Sequence, residues 1–580
     1  MFGRSAANRF VGVGAMCLVL ACTPGRPAAE GTQRGASVGD DTQALQSAGP
    51  KRITAAILGN TRTFSNRIER SSAGSTPGSE EMEELVNAGL TVLDGRGELR
   101  PLLAEAVPMI ENGNWRVFPD GRMETTWKLK SGAAWHDGTP FTSDDLAFTL
   151  TVMADQDLRI FREVAYDSVE RVDAPDSLTV TVAWSRPYIS ADALFTRVRA
   201  QPLPKHILER PFGEDKAGFL ELAYWNREFV GLGPFKVRDW VPGSYTILTA
   251  NDRYILGRPK LDEIEVRFIA DQNALIANIL AGGIDVTLGR NMSLEQATQV
   301  RENWRDGRME LGAYTTWISI YPQFINPNPA VIGNLTFRRA IYAAIDRQAM
   351  ADTLMLGMVP IAHSIISPLE PIYKEIEGSI VRYEFDPRRA TQIVESLGYS
   401  RGTDGLFRDA SAQILMVPTQ TSQGNALQEK SMFAVADYIE RIGIAVEQDV
   451  VPPQARSDLA RRAARPGLEV QKQPAGMDAL NRYYANSTPL PENNYTGNNR
   501  ARYQSAELDA LLDRFFATIP RTERAAALGQ IAHHFNDQLN TMSLIYDVDP
   551  LMVSNRLTNV GAANGELSSV AWNAHEWGPK

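Results

Sequence analysis

The sequence predicts an α/β fold spread over more than one domain. Three observations carry that expectation. The chain has 580 residues, more than one hydrophobic core holds, so two or three domains are expected. Segments that alternate apolar and polar residues are interleaved with segments of helical period. A strand, a helix, a glycine stop and a second strand follow one another at a length that suits a parallel crossover. With 43% hydrophobic and 22% charged residues, the composition is that of an ordinary soluble globular protein. The formal net charge of −10 leaves no basic excess to neutralise phosphates, which argues against a nucleic-acid partner.

The first element is a leader. Arg4 and Arg9 make a positive n-region ahead of FVGVGAMCLVLA, Phe10 to Ala21, an apolar run of signal-peptide length and too short for a membrane span. It ends in VLAC, which resembles the lipobox of bacterial lipoproteins and implies lipid on Cys22. Plain secretion, with Cys22 incidental, is the other reading. The two cysteines are Cys17, inside the removed segment, and Cys22. A lipidated mature chain therefore has no free thiol, no disulfide and no thiolate metal site. Residues 23–50 lack apolar period and are rich in Gly, Ala, Ser, Thr and Pro, as in a flexible tether. The tether contains GASVG around Ser37, a formal nucleophile elbow without the strand and helix that motif requires.

In the body, METTWKLK (123–130) alternates Met123, Thr125, Trp127 and Leu129 against Glu124, Thr126, Lys128 and Lys130, a half-buried strand entered through Asp120–Gly121. Thr142 and Asp145 form a capping-box pattern, and a helix follows through Leu146, Phe148, Leu150 and Met153. Residues 233–251 read as a hairpin turning at Pro242–Gly243. Ile264, Val266 and Phe268 alternate in a strand that leads through a helix and the Gly282–Gly283 stop to another strand. Phe337, Ala340, Ile341, Ala344 and Ile345 make one helical stripe. Asp386 reads as an N-cap, Pro387 as the first helical residue and Gly398 as the stop. A helix then runs into an alternating strand across 427–451, and a helix over 523–539 precedes a last strand, MSLIYDV.

Catalytic and metal signatures are missing. The six histidines make no H-E-x-x-H or H-x-H, no P-loop is present, and GLGPF (231–235) opens a hairpin rather than a dinucleotide site. His533 and His534 point to different faces of a helix. His136–Asp137 sits in AAWHDGTPFTSDD, where Gly138 can take a positive φ and Pro140 fixes the exit. A turn between strand and capped helix accounts for every neighbour. No cofactor and no metal are expected.

Four blocks together resemble the family 5 extracellular solute-binding proteins, the dipeptide, oligopeptide and nickel-binding group of ABC importers. They are LRPLLAEAVP with WKLKSGAAWHDGTPFTSDDLAFTL, then GLGPFKVRDWVPGSYTILTANDRYILGRPKLDEIEVRFI with LAGGIDV, then FRRAIYAAIDR, then FDPRRATQIVESLGY. The resemblance runs from about residue 51 to the end. It implies an α/β, two-lobed periplasmic-binding-protein fold, type II-like, with an extra domain inserted in lobe one. On this chain, lobe one would comprise 51–75, 230–312 and 540–580, the inserted domain 76–229, and lobe two 313–539. It also implies binding without catalysis: solute contacts on both lobes favour the closed state, which a membrane permease and its ATPase then recognise. The expected protein is an exported monomer in the periplasm or at the cell surface, anchored to a membrane through Cys22.

Peptide-binding members carry an aspartate that pairs with the peptide's α-amino group, in a stretch resembling W-x-x-D. Here the corresponding stretch is GMDALNRYYANSTPLPENNYTGNN. Asp478 matches an earlier structural position, and Asn486 stands about where the aspartate would be, able to hydrogen-bond but not to neutralise a cation. Tyr483, Tyr484, Asn486, Asn493, Asn494 and Tyr495 form a polar-aromatic candidate ligand set; an ordinary surface loop is the alternative. Alternation along YTTWISIYPQF puts Thr315, Trp317, Ser319 and Tyr321 on one side, so Trp317 and Tyr321 face either the cleft or a core. Asn60 and Arg62 follow the first strand, where family members often touch ligand. Three functions compete: capture of peptides or peptide-like solutes; the same fold binding a sugar, an opine-like conjugate or a metal chelate; and, remotely, a secreted hydrolase using His136 or a carboxylate pair. His136→Ala separates the last from the others, since loss of turnover marks an enzyme and loss of stability alone marks a turn.

Overall fold

The computed structural model describes residues 49–73, 76–161, 164–565 and 567–580. The leader, most of the tether, Ser37 and Cys22 lie outside the described residues. Three sheets organise the body. The first has seven strands, in the spatial order Gly307–Leu311, Pro550–Ser554, Val286–Thr287, Arg52–Leu58, Glu263–Ile269, Tyr245–Ala250 and Phe235–Val241. Arg52–Leu58 runs parallel to both neighbours, because the chain crosses over it through helix Gln272–Leu280. Asp271 caps that helix by accepting from Ala274 N at 2.8 Å. Gly282, at φ +72°, ends the crossover in a conformation that a side chain resists.

The second sheet has the order Ala445–Val451, Met416–Ser422, Leu468–Pro474, Thr316–Pro322 and Met542–Asp547. Helix Ala426–Arg441 makes the parallel crossover here. Apolar packing covers both faces. Ile318, Ile320, Val417, Val435 and Ile439 lie on one side, and Trp317, Tyr321, Phe515, Phe535 and Tyr546 on the other. A third, four-stranded antiparallel sheet holds Trp115–Val117, Met123–Lys128, Thr179–Trp184 and Val169–Asp176. Its Trp127 and Trp184 belong to the same continuous core as Ile57, Val266 and Trp577.

The predicted elements match in detail where local chemistry is strong. Helix Ser143–Ala154 carries the Thr142/Asp145 capping box. The hairpin turns at Gly243, at φ +73°. Asp386 accepts from Arg389 N at 2.8 Å, with Pro387 first in its helix. One boundary needs correction. Met542–Asp547 pairs with Thr316–Pro322 in the second sheet, so the return to the first sheet falls at 548–549, not at 540. The outward crossing lies between Leu311 and Thr316, and its Tyr314 stacks on Tyr546, just before the return crossing, centroids 5.2 Å apart.

Candidate functional site

Open parallel sheets bind ligands beyond the carboxyl ends of their strands. In the first sheet, those ends lead into 59–65 and 288–292. Asn60 Oδ1 accepts from Gly243 N at 3.2 Å, and Arg62 N donates to Glu69 Oε2 at 3.1 Å, so both residues anchor the loop while remaining exposed. Asn291 ties its own turn by donating to Leu288 O and Gly289 O. Gly289 passes close to the entry of helix Ser79–Val86: a Cβ there would lie 2.1 Å from Gly78 N.

In the second sheet, the corresponding ends carry a woven, mostly buried polar network. Gln428 Nε2 donates to Thr421 Oγ1 at 2.8 Å, its Oε1 accepts from Lys472 N at 2.8 Å, and Gln471 Nε2 donates to Ser422 Oγ at 3.0 Å. Charged pairs join the two sets of strand ends. Arg290, beyond the first sheet, meets Asp547 of the second at 2.7 Å and Asp549 at 2.9 Å, and Lys472, within the second sheet, also meets Asp547 at 2.5 Å. Glu295, at the start of the helix beyond the first sheet, meets Lys430 of helix Ala426–Arg441 at 3.3 Å. Arg199 Nη2 lies 3.0 Å from each oxygen of Asp478. The carboxyl ends of the two sheets therefore meet at a charge-bridged seam beside the two crossings. Burial raises Asp549 above the usual carboxylate range, against the pull of Arg290 and Lys472; burial also lowers Lys472.

The expected ligand residues divide. Tyr483 is buried, with its ring edge-on to Phe535 at 4.6 Å. Tyr484 donates its hydroxyl to Asp513 Oδ1 at 2.9 Å and stacks on Phe516. Asn493 is a local cap, accepting from Leu490 N at 2.9 Å and donating to Thr488 O at 2.8 Å. Asn494 and Tyr495 form a left-handed turn, at φ 53° and 56°. Asn486 is exposed, 3.5 Å from Ser487 Oγ. These six share one loop, yet the residue of that segment that reaches across to Arg199 is Asp478. Trp317 and Tyr321 are each 1% exposed, inside the second-lobe core rather than on a wall. Sequence reasoning passed over Arg199, Arg290, Lys472, Asp547 and Asp549. For Arg290 and the two aspartates, a charge immediately after an apolar strand was the available signal.

His136 is a staple between the inserted domain and the 231–233 loop. Its Nδ1 accepts from Gly231 N at 3.1 Å and its Nε2 donates to Gly233 O at 3.0 Å. Burial pulls it down to about 4, so it stays neutral. Asp137 accepts from Thr139 N at 2.9 Å and pairs with His206 at 2.8 Å. Gly138 turns at φ +99°. Among the described residues, no group of three or more His, Cys, Asp or Glu is placed to hold a metal ion.

The sequence matches the profile of bacterial extracellular solute-binding proteins, family 5 Middle, over residues 98–499. The chain belongs to this family. It is 26% identical over 376 residues to the oligopeptide-binding protein AppA of Bacillus subtilis, covering 64% of this chain and 65% of AppA. It is 29% identical over 288 residues to a putative ABC transporter peptide-binding protein of Brucella ovis, covering 50% of this chain and 51% of that one. The chain thus spans between half and two thirds of the length of the curated relatives it matches. The AppA structure, solved with a nonapeptide, superposes with a TM-score of 0.63 at 22% identity, covering 92% of this chain and all of AppA's. NikZ of Campylobacter jejuni, solved with Ni(L-His), gives 0.68 at 18% identity, covering 91% and 99%. At those identities the superpositions establish the fold: this family 5 protein is a two-lobed, periplasmic-binding-protein-type α/β structure.

Proposed function

We propose that this chain is the solute-binding component of an ABC importer. It captures peptides or peptide-like solutes between its lobes and presents the closed form to a membrane permease driven by an ATPase. It works as an exported monomer, held at a membrane by lipid on Cys22, and binds without catalysing. The observation that carries this reading is the pair of polar strand-end walls meeting across a two-crossing hinge, in a chain whose family is solute-binding. The peptide assignment is supported by the relatives named as peptide-binding. Binding without turnover is supported by His136, whose two ring nitrogens are both committed to backbone groups.

One observation favours a second reading, a non-peptide solute. Asn486 cannot neutralise an ammonium, and Asp478 is already engaged by Arg199. Native mass spectrometry of protein purified without added ligand, followed by denaturation, separates the two. A ladder of short-peptide masses is the expected result. One discrete non-peptide mass would replace the peptide reading with the second.

A further inference from the structure

One apolar residue of the second lobe is packed into the first. Ile519 sits in the turn between helices Ala506–Ala517 and Arg521–Gln538, and such turns ordinarily run over the surface. Yet Ile519 is 6% exposed and belongs to the core built around Ile57, Trp127 and Val266. Its hairpin neighbours Leu512, Phe515, Ala525 and Leu528 belong to the second-lobe core instead. Ile189, which follows strand Thr179–Trp184, makes the reverse contact and packs against both cores.

Charges of reciprocal sign flank this contact. On the first-lobe side, Arg199 reaches both oxygens of Asp478 at 3.0 Å. Asp192, on the same segment, faces Arg524 of helix Arg521–Gln538, and each exerts the largest charge effect on the other. Arg199 also faces Asp192, while Arg521 and Glu375 face Arg524 and pair with each other at 2.9 Å. Burial pushes Asp192 up to about 6 against the pull of Arg524, so its carboxylate is largely charged at pH 7. Backbone contacts hold both sides in place. Arg524 Nη1 donates to Ile519 O at 3.3 Å, Thr91 Oγ1 donates to Asp192 O at 3.4 Å, and Leu90 N donates to Phe195 O at 2.7 Å.

One acidic and one basic group on each side, each set against its opposite, fix a single docking register, because a shifted register brings like charges together. The isoleucine beside them adds apolar burial, which is non-directional. We propose that segment 188–199 and the turn 518–524 form a clasp that holds the two lobes shut: Ile519 seats in the first-lobe core, and the Asp192–Arg524 and Arg199–Asp478 pairs fix its position. Opening about the crossings at 312–315 and 548–549 withdraws Ile519 into water, so the clasp sets how strongly the lobes favour closure before any solute arrives. This deepens the capture reading and rests on it for the effect on affinity; the contact itself needs no solute.

The test uses the full-length protein and hydrogen–deuterium exchange without added solute. Asp192→Arg, on the first lobe, should raise exchange at 518–524 on the second, and Arg524→Asp should raise it at 188–199. Asp192→Arg combined with Arg524→Asp should restore protection at both. Helix Ala426–Arg441, which packs on the other face of the second sheet, serves as the folding control. Ile519→Ala, which adds no charge, should raise exchange at 188–199 and weaken binding of the peptide pool released from the purified protein about tenfold. Unchanged exchange on the opposite face in either single reversal, or a double variant no better protected than the singles, would overturn the proposal. Restored protection without any binding of the pool would leave the clasp standing and count against the peptide reading instead.

Discussion

His136 shows how one side chain sets a pH response. Its ordinary value of 6.5 falls to about 4 in the folded protein, so the unfolded chain takes up the proton first. Its contribution is complete above pH 6.5 and is lost as pH falls toward 4, roughly 3 kcal/mol in all. His136→Phe leaves Gly231 N without a partner and Gly233 O with Asn251 Nδ2 alone, at a cost of about 1–3 kcal/mol near pH 7, and chemical denaturation should show a flatter profile between pH 6.5 and 4. Glu83 has the opposite sign. Burial pushes it up to about 8 against the attraction of Arg197 and Arg67. The stability it contributes is complete below its ordinary 4.5 and is lost as pH rises through 8. Glu83→Gln should therefore gain on the wild type at pH 9 and not at pH 4.5, measured by the same denaturation series.

At the scale of elements, close backbone approach fixes the first wall. Gly289 has φ +68° and its Cβ position lies 2.1 Å from Gly78 N, so Gly289→Ala both strains the backbone and separates two loops. We expect a loss of more than about 2 kcal/mol in urea unfolding. Legibility at this scale followed local chemistry. Strand Met123–Lys128 and the Asp386–Pro387 helix start were readable because alternation and capping are written in neighbouring residues. Strand Leu468–Pro474 was not, because its buried positions include Glu469 and Gln471, which look like a solvated segment. The boundary at 540 was misplaced because MSLIYDVDPLMVS is one apolar run that supplies Met542–Asp547 to one sheet and Pro550–Ser554 to the other. Alternation put Trp317 and Tyr321 on a common face, but only the packing of Phe515 and Phe535 shows that face to be a core.

At the scale of the molecule, the family blocks revealed the two-lobed architecture, while the charges that bridge the lobes come from distant segments and leave no local pattern. Arg199 and Asp478 are 279 residues apart in sequence. This pair favours the closed arrangement, so Arg199→Ala should weaken solute affinity about 5–30-fold, and a double-mutant cycle with Asp478→Ala should show strong coupling between the two. The central claim is closure around a solute, and closure is directly measurable. Residues 51–580 contain no cysteine, so Glu302→Cys on the first lobe and Glu395→Cys on the second give two clean sites for fluorophores. Single-molecule energy transfer between them should shift to a higher, narrower population when the peptide pool released from the purified protein is added back. A distribution that stays unchanged with that pool at saturating concentration would contradict the account.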